Sequence, residues 1–98
     1  MTEPFIQPSA RPWPSGDCTP VTHLDLEPAE IEDRLGIRFT PGSDDLGEFV
    51  EAAIQMASGR LLLFLRYTGS PAPGTTVLAD ARDDLRAAEN DVNALLAL

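Results

Sequence analysis

The segment from Leu61 to Leu65 limits the possible folds of this chain most, because it is five apolar residues long and carries no charge. A segment that is apolar on both faces is typical of a strand covered by protein on both sides. Its short length and the flanking Gly59 and Gly69 favour a strand over a helix. We therefore expect a central strand here, within a hairpin that covers about residues 60–80.

Segments on either side of this hairpin predict helices at residues 28–35 and 81–97. Pro28 suits the first turn of a helix, where its missing N–H donor costs nothing, and Gly36 suits the residue after the last turn. The second segment follows Asp80, a favourable N-cap, and repeats apolar residues at helical spacing toward the C-terminus.

A third helix is predicted at residues 44–57. Ser43 is a favourable N-cap, and Asp44 and Asp45 complement the positive end of the helix dipole. The apolar residues of this segment recur every three to four positions, which predicts one buried stripe. They are Leu46, Phe49, Val50, Ala53, Ile54 and Ala57. The chain should thus form a single small α+β layer domain, in which three helices pack on a sheet of about four strands.

The first twenty residues contain five of the nine prolines. Proline removes a backbone donor and fixes φ, so this stretch suits neither a helix interior nor a central strand. We expect a Pro-rich extended arm at residues 1–20, which Phe5, Ile6 and Trp13 dock onto a domain at residues 21–98.

Charge limits the classes of partner. The 98-residue chain has sixteen Asp and Glu residues, seven Arg and no Lys, which gives a formal charge of −9. Nucleic acids and anionic membranes bind basic surfaces, so neither is an expected partner, whereas a basic protein is. The absence of a signal-peptide pattern and of a long apolar run predicts a cytoplasmic protein. The richness in Ala, Leu and Arg is typical of high-GC bacterial genes.

The predicted helix at 44–57 would carry an acidic stripe, because Asp44, Glu48 and Glu51 are spaced by four and three residues and Asp45 lies beside them. The segment contains no arginine that could compensate these charges. Like charges at this spacing destabilise a helix by a few tenths of a kcal/mol per pair, a cost that a basic partner would offset. The stripe predicts non-catalytic binding of a basic protein, as in an immunity protein or antitoxin. The alternative is a solvated face that only aids solubility.

Two further residues join the predicted partner-binding set. Arg66 and Tyr67 precede a loop stiffened by Pro71 and Pro73, and both residue types are common in binding hot spots. Rigid loops often carry binding residues. The predicted binding residues are therefore Asp44, Asp45, Glu48, Glu51, Arg66 and Tyr67.

No catalytic or metal-binding pattern is recognisable. His23 is the only histidine and Cys18 the only cysteine, so the ligands of a typical zinc site are missing. No cofactor is expected, and an enzyme is the less favoured interpretation. The alternative is a small enzyme or ligand-binding domain with a pocket between the sheet and a helix. Its polar candidates are His23, Asp25, Arg38, Arg66 and Tyr67.

A third hypothesis is a homo-oligomeric structural module. It would pair an exposed strand edge, or a C-terminal surface of Leu95, Leu96 and Leu98, across a two-fold axis. A homodimer would then be the functional form.

Overall fold

The computed structural model describes residues 5–7 and 18–96. The helices and strands in this part of the chain are β1 (Phe5–Ile6), β2 (Cys18–Leu24), α1 (Pro28–Leu35), β3 (Thr40–Asp44), β4 (Gly47–Met56), β5 (Leu61–Tyr67), β6 (Thr75–Asp80) and α2 (Leu85–Leu96). The strands form one antiparallel sheet in the order β1-β4-β5-β6-β2, and β3 pairs with β4. The predicted α+β class is confirmed, but the described residues form six strands and two helices in place of about four strands and three helices.

β5 is the middle strand of the sheet, as predicted for the apolar run. Leu62, Leu63 and Phe64 are each 0% exposed. Because successive side chains of a strand point to opposite faces, burial of all three means that both faces of β5 are covered. The predicted hairpin at residues 60–80 is formed by β5 and β6, which pair antiparallel.

The two helices pack on one face of the sheet and close a hydrophobic core there, which we call the helix-side core. Phe64 lies between Ala52 of β4 and Val77 of β6 in the antiparallel register. The helices contribute Ile31 from α1 and Val92 from α2, both 0% exposed. The other buried members of this core are Leu24, Ile37, Ile54, Met56, Leu62, Ala79, Ala88, Leu95 and Leu96.

α1 has the predicted bounds, because both of its ends are specified by local residues. The backbone N–H of Glu27 donates to Glu30 Oε1 at 3.2 Å, which helps to cap the N-terminus, and Pro28 occupies the first turn. Gly36 has φ 68°, a left-handed conformation that glycine adopts without steric cost, and its N–H donates to the carbonyl of Glu32.

α2 begins at Leu85, so the predicted start at residue 81 is wrong. Asp84 provides the N-cap, since its Oδ1 accepts from the N–H groups of Arg86 at 3.0 Å and Ala87 at 3.2 Å. Asp80, the expected cap, ends β6, and its carboxylate binds Arg82 at 2.7 and 3.0 Å. The predicted last residue, 97, lies outside the described residues.

The prediction of a helix at residues 44–57 is wrong, because this segment is the main part of a β-hairpin. β3 and β4 pair antiparallel, with Asp44 opposite Gly47, so residues 45–46 form a two-residue turn. Gly47 has φ 127°, which glycine tolerates and other residues rarely adopt. The acidic residues at this hairpin therefore do not form a helical stripe.

Two periodicities overlap in β4, and pairing with β5 decides between them. Ile54 lies opposite Leu62, and Ala52 lies opposite Phe64, so residues two apart enter the helix-side core. Ala53 is also apolar and lies between Ala52 and Ile54. The apolar residues of the segment therefore also recur every three to four positions, the spacing of a helix. A strand here gains backbone hydrogen bonds to the central strand, which a helix on the surface would not, so tertiary context overrides the local pattern.

The residues predicted as an arm are only partly described. Phe5 and Ile6 pair with Met56 and Gln55 of β4, and the stretch from Cys18 to Pro20 pairs with β6 as part of β2. Residues 1–4 and 8–17 lie outside the described residues, and with them Trp13, whose predicted docking therefore stays a prediction. Neither described helix has the length and apolar character that a membrane-spanning helix requires.

Candidate functional site

Four of the six predicted binding residues lie at the end of the sheet where the β3–β4 hairpin turns. Asp44, Asp45 and Glu48 belong to the hairpin, and Tyr67 ends the neighbouring strand β5. The hydroxyl of Tyr67 donates to Asp44 Oδ2 at 2.5 Å. The Tyr67 ring meets Phe49 edge-on, with ring centroids 5.6 Å apart and an interplanar angle of 73°. The register of the sheet thus brings these residues together.

Leu46 occupies the tip of this hairpin and is 82% exposed. Its backbone N–H donates to Asp44 Oδ1 at 2.8 Å, an Asx-type contact that fixes the turn. Asp45 and Glu48 on either side are exposed carboxylate residues. We call Asp44, Asp45, Leu46 and Glu48 the acidic tip.

The acidic tip is braced by the loop that connects β5 and β6. Thr68 donates to the carbonyl of Glu48 from its backbone N–H at 3.0 Å and from its hydroxyl at 3.3 Å. A shallow depression of about 330 Å³ lies between the tip and this loop. It is lined by Leu46, Gly47, Glu48, Tyr67, Thr68, Gly69 and Ser70. The tip is therefore held in one position relative to the sheet.

Three ion pairs of the described residues lie away from the acidic tip. They join Arg60 to Asp91, Arg66 to Glu27 and Arg82 to Asp80. A cluster of exposed carboxylates produces a negative local potential that attracts cationic groups.

Glu51 and Arg66, the other two predicted binding residues, are not part of the tip. Glu51 is half-buried and lies opposite Leu65 on the sheet face away from the helices. It is three residues from Glu48, and residues three apart on a strand point to opposite faces. Arg66 Nη1 donates to the carbonyls of Ala72 at 2.5 Å and Gly74 at 2.9 Å.

Three of the five candidates for a ligand pocket do converge on one cleft. His23, Arg66 and Tyr67 line a cleft of about 240 Å³ beside the β5–β6 loop, whereas Asp25 and Arg38 are not among its lining residues. The remaining lining is mainly apolar and includes Leu65 and Leu78.

The polar groups of this cleft bind the protein's own loop. A carbonyl can only accept, so His23 Nε2 donates to Pro73 O at 2.7 Å, and His23 Nδ1 lies 3.2 Å from Thr76 Oγ1. Glu27 Oε2 accepts from the N–H of Gly74 at 2.6 Å, and its other oxygen lies 3.9 Å from Arg66 Nη2. His23, Glu27 and Arg66 together hold the loop, a structural role.

Sequence reasoning assigned Leu46 to a buried stripe and so missed the most exposed large apolar residue of the described chain. The missed pattern was Asp44-Asp45-Leu46-Gly47, in which an Asx residue and a glycine flank a two-residue turn. Reading it as a turn would have placed Leu46 at a surface tip.

The described residues contain no group of three or more His, Cys, Asp or Glu side chains close enough to hold a metal ion. Comparison with family models, curated proteins and solved structures gave no match.

Proposed function

We propose that this protein acts by binding another protein without catalysis, and that the acidic tip is its contact surface. The observation that carries the proposal is Leu46, a leucine that is 82% exposed on a braced turn between carboxylates. Burying a leucine side chain contributes roughly 1.5–3 kcal/mol, which at the tip becomes available only when a partner covers it. Leu46 is thus the apolar anchor of the interface.

The bracing of the tip supports this proposal. Asp44 holds the turn through Leu46 N–H and is itself bound by the Tyr67 hydroxyl, while Thr68 fixes Glu48 through its carbonyl. A tip that is already ordered loses little conformational entropy on binding, so more of the contact energy appears as affinity.

The charge of the tip specifies the partner. Asp45 and Glu48 would accelerate encounter with a cationic surface and pair with the basic rim of an apolar pocket that receives Leu46. More specifically, the proposed function is that of a neutralising protein of the immunity or antitoxin type, which covers a basic functional face of its partner. The cytoplasm of a bacterium is the proposed setting.

The two rival functions have weaker support. The cleft beside His23 favours a ligand-binding domain, but its volume of about 240 Å³ is below the roughly 300–1,000 Å³ of typical ligand sites, and its His and Arg bind loop carbonyls. A homodimer through the C-terminal leucines is disfavoured because Leu95 and Leu96 are buried in the helix-side core. The third leucine of that surface, Leu98, lies outside the described residues.

Affinity purification from cells of the source organism tests the proposal. The bait proteins are the wild type, Leu46→Ser, and Leu85→Ser as the matched control, since Leu85 is the other exposed large apolar residue of the described chain at 39%. Loss of a leucine contact of about 1.5–3 kcal/mol lowers affinity about tenfold to a hundredfold. We expect Leu46→Ser to lose one specific partner that the wild type and Leu85→Ser both retain. Equal recovery with all three baits would refute the proposal.

A second pair of variants tests the electrostatic part. Asp45→Asn/Glu48→Gln removes two charges from the tip, and Asp33→Asn/Glu89→Gln removes two exposed charges from the helices. We expect only the first pair to slow association with the partner and to reduce its salt dependence. Equal association rates for both pairs would show that the carboxylates of the tip do not steer the partner.

A further inference from the structure

The outer side of β3 is an exposed edge of the sheet. Among the described strands, β3 pairs with β4 and with no other, and four of its five residues, Thr40, Pro41, Ser43 and Asp44, are exposed. A strand edge in solvent presents N–H and C=O groups to which a strand of another chain can add. A second copy of the chain brings an identical edge, so pairing of β3 with β3 across a two-fold axis is the simplest way to extend the sheet.

The hydrogen bonding of β4 determines which backbone groups of β3 face this edge. The carbonyl of Glu48 accepts from the N–H of Thr68 at 3.0 Å, so the backbone groups of Glu48 point to the side of β5 and away from β3. Its partner in β3 is Ser43, which therefore belongs to a pair without mutual backbone hydrogen bonds. Pro41 lies opposite Val50, two residues along both strands, and follows the same alternation. The backbone groups of Pro41 and Ser43 consequently point outward.

We propose that Pro41 closes the β3 edge and keeps this chain from pairing with a second copy there. Proline lacks an N–H, and at this position the missing donor is one that would face outward, so the β3–β4 hairpin loses no hydrogen bond. An incoming strand, by contrast, would leave one of its carbonyls without a donor opposite Pro41. An unpaired carbonyl in such a contact weakens association by about tenfold or more. Pro41 thus opposes pairing without weakening the hairpin.

Glu32 of α1 closes the stretch of backbone next to this edge. Its Oε2 accepts from the N–H of Phe39, the residue before β3, at 2.9 Å. The side chain of Gln7 binds the backbone N–H and carbonyl of Arg38 in a similar way, at 3.1 and 2.7 Å. Two consecutive backbone donors ahead of β3 are therefore already bound within the chain. A strand that paired along β3 would find neither of them beyond Pro41.

The opposite edge of the sheet is protected by a similar combination. β2 ends the strand order there, and it contains Pro20, which is exposed. The register of β2 against β6 shifts between Pro20 and Thr22, which marks a bulge. Prolines and bulges in edge strands are two known means of preventing sheets from joining edge to edge. A proline in the edge strand on each side supports protection against self-pairing over a role in the β3–β4 hairpin alone.

Sedimentation equilibrium of the intact chain tests the proposal with Pro41→Val and with Pro71→Val as the matched control. Valine suits a strand and restores the outward N–H, whereas Pro71 is an exposed proline of the β5–β6 loop. High salt is used because it screens the repulsion between two copies that each carry a formal charge of −9. We expect Pro41→Val to self-associate at least about tenfold more tightly than the wild type and Pro71→Val. Equal behaviour of all three proteins would overturn the proposal.

Hydrogen exchange locates the contact that the variant forms. We expect the amides at positions 41 and 43 of Pro41→Val to become protected as its concentration rises, while the wild-type amide of Ser43 stays unprotected. Circular dichroism and urea unfolding verify that each protein is folded. Self-association of Pro41→Val without protection at these two positions would place the contact elsewhere and overturn the proposal. A variant that loses stability but stays monomeric would overturn it as well, since Pro41 would then serve the hairpin alone.

Discussion

Gly74 holds the loop between β5 and β6 in a conformation that other residue types would adopt only under strain. Its φ is 96°, and a Cβ atom at this position would lie 2.1 Å from the carbonyl oxygen of Leu24. Its backbone N–H donates to Glu27 Oε2, and its carbonyl accepts from Arg66 Nη1. The glycine therefore fixes the loop against β2 and keeps His23 within reach of Pro73.

The first prediction concerns this glycine. We expect Gly74→Ala to lower the free energy of unfolding by at least about 2 kcal/mol, because it adds a strained φ and a clash with backbone. Gly69→Ala is the control in the same loop, since a Cβ there would meet nothing within 4 Å, and it should change stability by no more than about 0.5 kcal/mol. Urea unfolding measures both. Similar losses in the two variants would contradict the assigned role of Gly74.

The second prediction concerns Asp80. Hydrogen bonds from Arg82 lower the pKa of this carboxyl from 3.8 to about 2. The unfolded chain then binds a proton at higher pH than the folded chain, so the stabilisation from Asp80 is complete above the unfolded value and is lost as the pH falls toward about 2. Over this pH window, the free energy of unfolding should fall less in Arg82→Ala than in the wild type. Arg86→Ala should show the same fall as the wild type. Identical pH profiles of the free energy of unfolding would show that Arg82 does not perturb Asp80.

At the scale of elements, local sequence specifies α1 and the central strand but not the β3–β4 hairpin. α1 is predictable because Pro28 and Gly36 mark its two ends in the sequence itself. β4 is not predictable, because its apolar residues fit the period of a helix as well as that of a strand. The pairing with β5 decides that the segment is a strand. The predicted acidic stripe does not form, because the segment is a strand, and Glu48 and Glu51 point to opposite faces of a strand.

The third prediction distinguishes a hairpin from a helix by whether one substitution raises or lowers the free energy of unfolding. In a helix, replacing Gly47 with alanine would stabilise the protein by about 1 kcal/mol. In the hairpin, Gly47 has φ 127° and no atom within 4 Å of an added Cβ, so Gly47→Ala should destabilise by about 1–2 kcal/mol through backbone strain alone. Thermal or urea unfolding gives the sign directly, and a gain in stability would exclude the hairpin.

At the scale of the whole molecule, the sheet determines which predicted residues meet. Asp44 and Tyr67 are 23 residues apart and come into contact through the pairing of β3 with β4 and of β4 with β5. This register cannot be deduced from any local sequence pattern. The residue types of the tip were therefore predictable from the sequence, but their arrangement in space was not. Leu46 was missed for the same reason, because its exposure follows from the turn between two paired strands.

The distribution of charge and apolar surface gives the molecule one distinctive end. The helix-side core buries its leucines, and the chain has a formal net charge of −9. The acidic tip departs from this pattern, since Leu46 is exposed there between the exposed carboxylate residues Asp45 and Glu48. Partner binding at this end is the proposed function.

Site-specific photo-cross-linking tests that claim most directly. A diazirine side chain is placed at position 46 in one variant and at position 85 in another, and each is expressed in cells of the source organism. We predict that the probe at 46 cross-links to one basic protein, that high salt during irradiation reduces the yield, and that the probe at 85 does not capture this protein. No cross-linked partner from position 46, or the same products from both positions, would contradict the account.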